Sequence, residues 1–206
     1  IISVIGSKEG LSHIPLAFVN PGDVVLAPEP GYPVYGIASG FVGGEVHSMP
    51  LVAANDFLPD LSAIPKAVAD RAALMFLNYP NNPTAATASA DYFKSVVEFA
   101  DKHNIVVCHD AAYSEVYFDD KRPASFLSID GAREVGMEIH SLSKTFNMTG
   151  WRIGFAVGKK DIVGGLAKVK SNMDSGVFQP IQLAAAWALD HAEELTPPIR
   201  AVYEKR

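Results

Sequence analysis

The sequence predicts an α/β three-layer sandwich built on a mainly parallel sheet. Short apolar or β-branched runs alternate along the chain with segments of helical period. One of these runs, Ala73 to Asn78 (ALMFLN), is almost entirely apolar, as a strand covered on both faces must be. The strand-like runs also end in polar turn clusters, the place where open α/β sheets bind ligands. A chain of 206 residues with 49% hydrophobic content can bury a substantial core and is most simply one domain.

Each element has its own signal. Ile1 to Ile5 reads as a strand, Gly6 as a turn, and the segment up to Val19 as a helix. Ser7 and Lys8 fall at that helix's N-terminus, where free N–H groups and the dipole favour a phosphate; a plain N-cap at Ser7 is the other reading. Asn20 to Asp23 is a turn and Val24 to Ala27 a buried strand, followed by PEPGYPVY, whose three prolines stiffen a loop around Tyr32. Tyr35 is expected to start the next helix. Gly44 to Leu51 reads as a strand, Leu61 to Ala69 as a helix, and ALMFLN runs into YPNNPT, which puts Asn82 beyond a strand's carboxyl end. Ala90 to His103 is an amphipathic helix. Ile105 to His109 is a buried strand ending at Asp110, and alternation sends His109 to the opposite face as a structural residue. Phe118 to Arg133 is a polar, proline-containing connection. Val135 to His140 and Ile153 to Val157 are strands, Lys160 to Met173 and Gln179 to Ala192 helices, and Pro197-Pro198 opens a last helical segment.

The stretch HSLSKTFNMTGWRIG, from His140 to Gly154, carries the sharpest chemistry. It sets Lys144 between two buried strands, and burying an unpaired ammonium costs several kcal/mol. By itself this lysine is a surface residue at a turn. Put to use, a partly desolvated amine has a lowered pKa and attacks carbonyls to form a Schiff base. Arg152, Ser141 and Ser143 could bind a dianionic phosphate beside it. An aldehyde that carries a phosphate is what pyridoxal 5'-phosphate offers.

Five motifs occur in one order: GSKEG, EPGYPVY, NYPNNPT, HDAAYSEV and HSLSKTFNMTGWRIG. In that order the chain resembles the fold-type I pyridoxal-phosphate-dependent aminotransferases (class I/II), and within them the LL-diaminopimelate aminotransferase-like branch. The resemblance covers essentially the whole chain. It implies a seven-stranded sheet with one antiparallel strand, the large domain of such an enzyme. Lys144 would hold the cofactor and move the substrate proton. Tyr32 would stack on the ring, and Asn82 and Tyr113 would donate to its phenolic oxygen. Asp110 would keep the pyridine nitrogen protonated, which makes the ring an electron sink. Ser7, Lys8, Ser141, Ser143 and Arg152 would surround the phosphate. Where the family often has glycine after NPT, this chain has Ala85.

The implied reaction moves an amino group between an amino acid and a 2-oxo acid, with LL-diaminopimelate or aspartate as possible donor. A β-lyase of the same fold shares every motif, and a non-catalytic sensor domain of a transcription regulator would also bind the cofactor. The resemblance also implies a homodimer, with the turn Asn172 to Gly176 near the partner's phosphate. Residues 1–195 are expected to form the cofactor-binding domain, and residues 196–206 to begin a helix leading to a C-terminal small domain that supplies the carboxylate-binding arginine. The 206 residues alone are therefore expected to bind cofactor but turn over poorly. A net charge of −6 without a basic run argues against nucleic-acid binding. No apolar run approaches the roughly 20 residues that span a bilayer. The single cysteine, Cys108, rules out an internal disulfide and suits a reducing cytoplasm. No metal-ligand cluster is visible.

Overall fold

The computed structural model describes all residues, 1–206. Seven strands form one sheet: β1 (Ile2–Val4), β2 (Val24–Glu29), β3 (Glu45–Pro50), β4 (Ala72–Asn78), β5 (Val106–Asp110), β6 (Gly136–Ser141) and β7 (Gly154–Gly158). Their order is β1-β7-β6-β5-β4-β2-β3. β7 pairs antiparallel with both β1 and β6, while every other pairing is parallel. One antiparallel strand in seven is the arrangement that the family resemblance implies.

Two cores lie on the two faces, as the unbroken apolar strands require. In β4, Leu74 and Phe76 join one core, and Met75 and Leu77 the other. The first face is covered by α1 (Ser7–Phe18), α2 (Val34–Phe41) and α7 (Lys160–Met173), through Leu11, Ile14, Val34, Ile162 and Leu166. The second is covered by α4 (Ala90–His103), whose Phe93, Val96, Val97 and Ala100 recur at helical spacing. Ser89 caps that helix by accepting the Tyr92 N–H at 3.1 Å, and Asn104 ends it in the left-handed region. A smaller cluster of Leu142, Met148, Ile153, Val177 and Ala185 seats α8 (Gln179–Asp190).

Three expectations change. The helix expected over Leu61 to Ala69 is two pieces, a 3₁₀ turn Leu61–Ala63 and the single turn α3 (Lys66–Ala69). Pro65 lacks an N–H and pushes Ile64 into an extended conformation, which separates them. The last helix, α9 (Ala192–Lys205), starts before Pro197-Pro198 rather than at them. Glu193 and Glu194 in its first turn suit the positive dipole end, and both prolines lie within the helix. The polar connection Phe118 to Arg133 contains a 3₁₀ turn, Phe126–Ser128, that buries Phe126 and Leu127. It runs into α5 (Ala132–Val135), so β6 begins at Gly136.

Candidate active site

The carboxyl ends of β4, β5 and β6 and the N-terminus of α1 bring most of the sequence candidates to one end of the sheet. In register, Asn78 of β4 stands opposite Asp110 of β5. The Asn78 side-chain amide donates to the Asp110 carbonyl at 2.8 Å, and its oxygen accepts the Asn82 N–H at 2.7 Å. Asn78 thereby ties the NNPT loop to the strand that ends in Asp110. The sequence reading gave Asn78 no role, although a polar residue ending a fully apolar strand is a usable signal.

Asp110 is 4% exposed, and burial pushes its carboxyl above the usual range. The strongest opposing contact is the hydroxyl of Tyr35, which donates to Oδ2 at 2.8 Å; the Ala112 N–H lies 3.3 Å from Oδ1. Tyr35 was expected only to start α2. It sits in the first turn of that helix, fully buried, with its ring stacked on Phe76 at 4.8 Å. Burial and the neighbouring carboxylate push its own pKa well up, so it remains a donor. Tyr32, one turn earlier, meets Tyr35 edge-on at 6.0 Å, and the Lys8 Nζ lies 5.8 Å from the Tyr32 ring centroid. Burial, with Asp110 and Tyr32 nearby, also raises the pKa of Tyr113. Tyr113 and Asn82 line one cavity of about 470 Å³ that runs on to Tyr117, Phe118 and Lys121.

His109 points away from Asp110, as strand alternation requires. Its Nδ1 lies 3.3 Å from Oε1 of Glu138, and its Nε2 accepts the Tyr79 N–H at 3.3 Å. Glu138 is buried, which alone would raise its pKa. Bonds from His109 and from His140, at 2.9 Å, outweigh burial and hold it well below the ordinary range. Ser125 and the Leu127 N–H also donate to it.

Lys144 lies in α6 (Leu142–Thr145), a single turn directly after β6. It is partly buried and makes no hydrogen bond or ion pair. Ser141 and Ser143 are buried on either side of Leu142, and the Ser141 hydroxyl caps the turn by accepting the Ser143 N–H at 3.2 Å. Arg152 has φ +53, a strained conformation of the kind that gathers at functional sites. Its Nη1 donates to the Thr149 carbonyl at 2.8 Å. Its guanidinium lies against Gly6, the N-cap of α1, where φ is +76 and a Cβ would collide with it. The cap is therefore Gly6, and Ser7 is the first helical residue. A bare backbone, an arginine and a helix N-terminus form a cradle fit for an anion.

These residues fit pyridoxal 5'-phosphate. A free amine at Lys144, a buried carboxylate at Asp110 and the cradle at Gly6 and Arg152 match its aldehyde, ring nitrogen and phosphate in kind. Ala85 has φ +60, the left-handed conformation that glycine adopts without strain, which explains why the resembling pattern has glycine there.

Comparison with known proteins agrees. The family model for aminotransferase class I and II matches residues 1–204. The LL-diaminopimelate aminotransferase of Nitratidesulfovibrio vulgaris is 56% identical over 207 residues, which cover 100% of this chain and 53% of that protein. That of Moorella thermoacetica is 55% identical, with the same coverage. The chain thus spans about half the length of the curated relatives it matches. Among solved structures, substrate-bound BacF from Bacillus subtilis has a TM-score of 0.95 at 42% identity, over 98% of this chain and 51% of that one. A probable N-succinyldiaminopimelate aminotransferase from Thermus thermophilus has a TM-score of 0.93 at 36% identity, over 100% and 55%. With the site's geometry and a family match along nearly its whole length, the chain belongs to the class I and II aminotransferases, which depend on pyridoxal 5'-phosphate.

Proposed function

We propose that this chain is the cofactor-binding part of an aminotransferase that moves an amino group between an amino acid and a 2-oxo acid, with LL-diaminopimelate as the leading donor. The observation that carries this reading is the meeting of a free amine, a buried carboxylate and an anion cradle at the carboxyl ends of neighbouring strands. The donor follows from the relatives' names. When bound, the cofactor supplies an electron-poor ring that takes up the electron pair of a substrate Cα–H bond.

The chain's residues divide the remaining work. Lys144 would hold the cofactor through Nζ and would serve as the base that takes the proton from the substrate Cα. Asp110, whose carboxylate accepts the Tyr35 hydroxyl, would hold a proton at the ring nitrogen. Tyr32 would cover the ring face, while Asn82 and Tyr113 would donate to its phenolic oxygen. Ser7, Lys8, Ser141, Ser143 and Arg152 would hold the phosphate. The division at residue 195, with a following domain that grips the substrate carboxylate, belongs to the same proposal and is supported by the relatives' greater length. So does a homodimer, since Met173, Phe178, Leu183 and Trp187 expose large apolar surface around α8. No helix is long and apolar enough to cross a membrane. The free, buried Cys108 suits the cytoplasm.

Borohydride reduction of the cofactor-loaded protein tests the core of this reading. The expected result is a pyridoxyl label on the peptide containing Lys144. A label on Lys8, Lys159 or Lys160 instead would overturn the assignment. An amino-donor panel with 2-oxoglutarate, LL-diaminopimelate included, tests the substrate.

A further inference from the structure

Lys170 of α7 is nearly buried, yet none of the roles above uses its charge. Its Nζ donates to Oε1 of Glu9 at 2.8 Å and to both carboxylate oxygens of Asp174 at 2.8 and 2.9 Å. The side chains of Lys170 and Glu9 are 10% and 12% exposed. Glu9 lies in the first turn of α1, directly after Lys8, and its other oxygen accepts the Ile5 N–H. That bond pins the turn between β1 and α1 in which Gly6 faces Arg152. His13, 3.4 Å from Glu9, faces it from one turn further along. Asp174 in turn accepts the Gly176 N–H at 2.6 Å.

A carboxylate in a helix's first turn suits the dipole but opposes a phosphate arriving at the same end. At this low exposure, salt and water screen the repulsion poorly. We propose that Lys170 is a positioning residue of the anion cradle: it pairs with Glu9 and holds it on the Ile5 N–H, so that Ser7, Lys8 and Arg152 meet a phosphate with the first-turn carboxylate of α1 paired rather than bare. This rests on the reading that the cradle takes the cofactor's phosphate. Burial works against the charge of Lys170, but the bonds to Asp174 and Glu9 outweigh it and hold its pKa above the ordinary lysine range. It is therefore cationic wherever the cradle operates.

The test compares the affinities of pyridoxal 5'-phosphate and of pyridoxal, which lacks the phosphate, in the wild type, Lys170→Met, Glu9→Gln and the double variant. Lys170→Met is expected to weaken pyridoxal 5'-phosphate by about tenfold while leaving pyridoxal within about twofold. Adding Glu9→Gln should restore most of the loss, because the first turn of α1 then carries no bare carboxylate, while Asp174 at the far end of α7 keeps its Gly176 N–H. Equal weakening of both probes, or no recovery in the double variant, overturns the proposal and leaves Lys170 a plain tie between α7 and α1. A wild type that does not prefer the phosphorylated probe overturns the cradle reading itself, and the inference with it. If Lys170→Met does not fold, Glu9→Gln decides alone: affinity for the phosphorylated probe must hold or rise, and a fall refutes the proposal.

Discussion

Tyr35→Phe isolates one hydrogen bond. The ring keeps its stack on Phe76 and its place in the core, and only the hydroxyl on Asp110 is lost. A hydrogen bond to a charged acceptor contributes about 1.5–3 kcal/mol, and one to a neutral carboxyl about 1 kcal/mol. The sign follows from burial, which raises the folded-state pKa of Asp110 above its unfolded value. Between those two values the native state binds more protons, so this group's contribution to stability falls as pH rises through the window. Tyr35 opposes the shift, and removing it raises the folded value further. The gap between wild type and variant should therefore be about 1 kcal/mol at pH near 4 and widen to about 1.5–3 kcal/mol at neutral pH. For a chain of this size the larger gap corresponds to roughly 3–12 °C in Tm. Thermal unfolding of the cofactor-free protein, followed by circular dichroism from about pH 4 to 8, measures it, and other titrating groups cancel in the difference. A gap that stays flat or closes as pH rises would refute the claim that Tyr35 stabilises the ionised carboxylate.

Two further predictions concern the surroundings of the site. Glu138→Leu strands donors from His109, His140, Ser125 and Leu127, and should cost about 3–5 kcal/mol in denaturant unfolding, with Glu138→Gln costing less. Because the folded pKa of Glu138 is depressed, its contribution is present above its unfolded value near 4.5 and is lost as pH falls below it, so wild type and Glu138→Gln should converge in acid. Ala85→Gly removes left-handed strain of about 1–2 kcal/mol, less about 0.5–1 kcal/mol for glycine's extra freedom when unfolded. A Tm increase of about 2–3 °C is expected, and a decrease would show that the conformation at Ala85 is not strained.

What the sequence determined by itself follows from local rules. Apolar continuity in ALMFLN meant a strand covered on both faces, and Leu74 and Phe76 do face one core while Met75 and Leu77 face the other. Alternation sent His109 and Asp110 to opposite sides, and they lie so. The motif order pointed to Lys144, Asp110, Asn82 and Arg152 as candidates, because each sits at or just beyond an element's end where a turn signal is readable. Local rules misjudged Pro65, which breaks a helix, and Pro197-Pro198, which a helix contains; the outcome there depends on the neighbouring residues, not on proline alone. Pairing across distance was out of reach. Tyr35 meets Asp110 across 75 positions, Asn78 meets it across 32, and Lys170 reaches Glu9 across 161. Such partners are chosen by strand order and helix packing, which bring together side chains whose own sequence neighbourhoods look ordinary. The structure thus decided which groups hold the catalytic candidates in place and which charges surround them, because burial and hydrogen bonding exist only once the chain has folded.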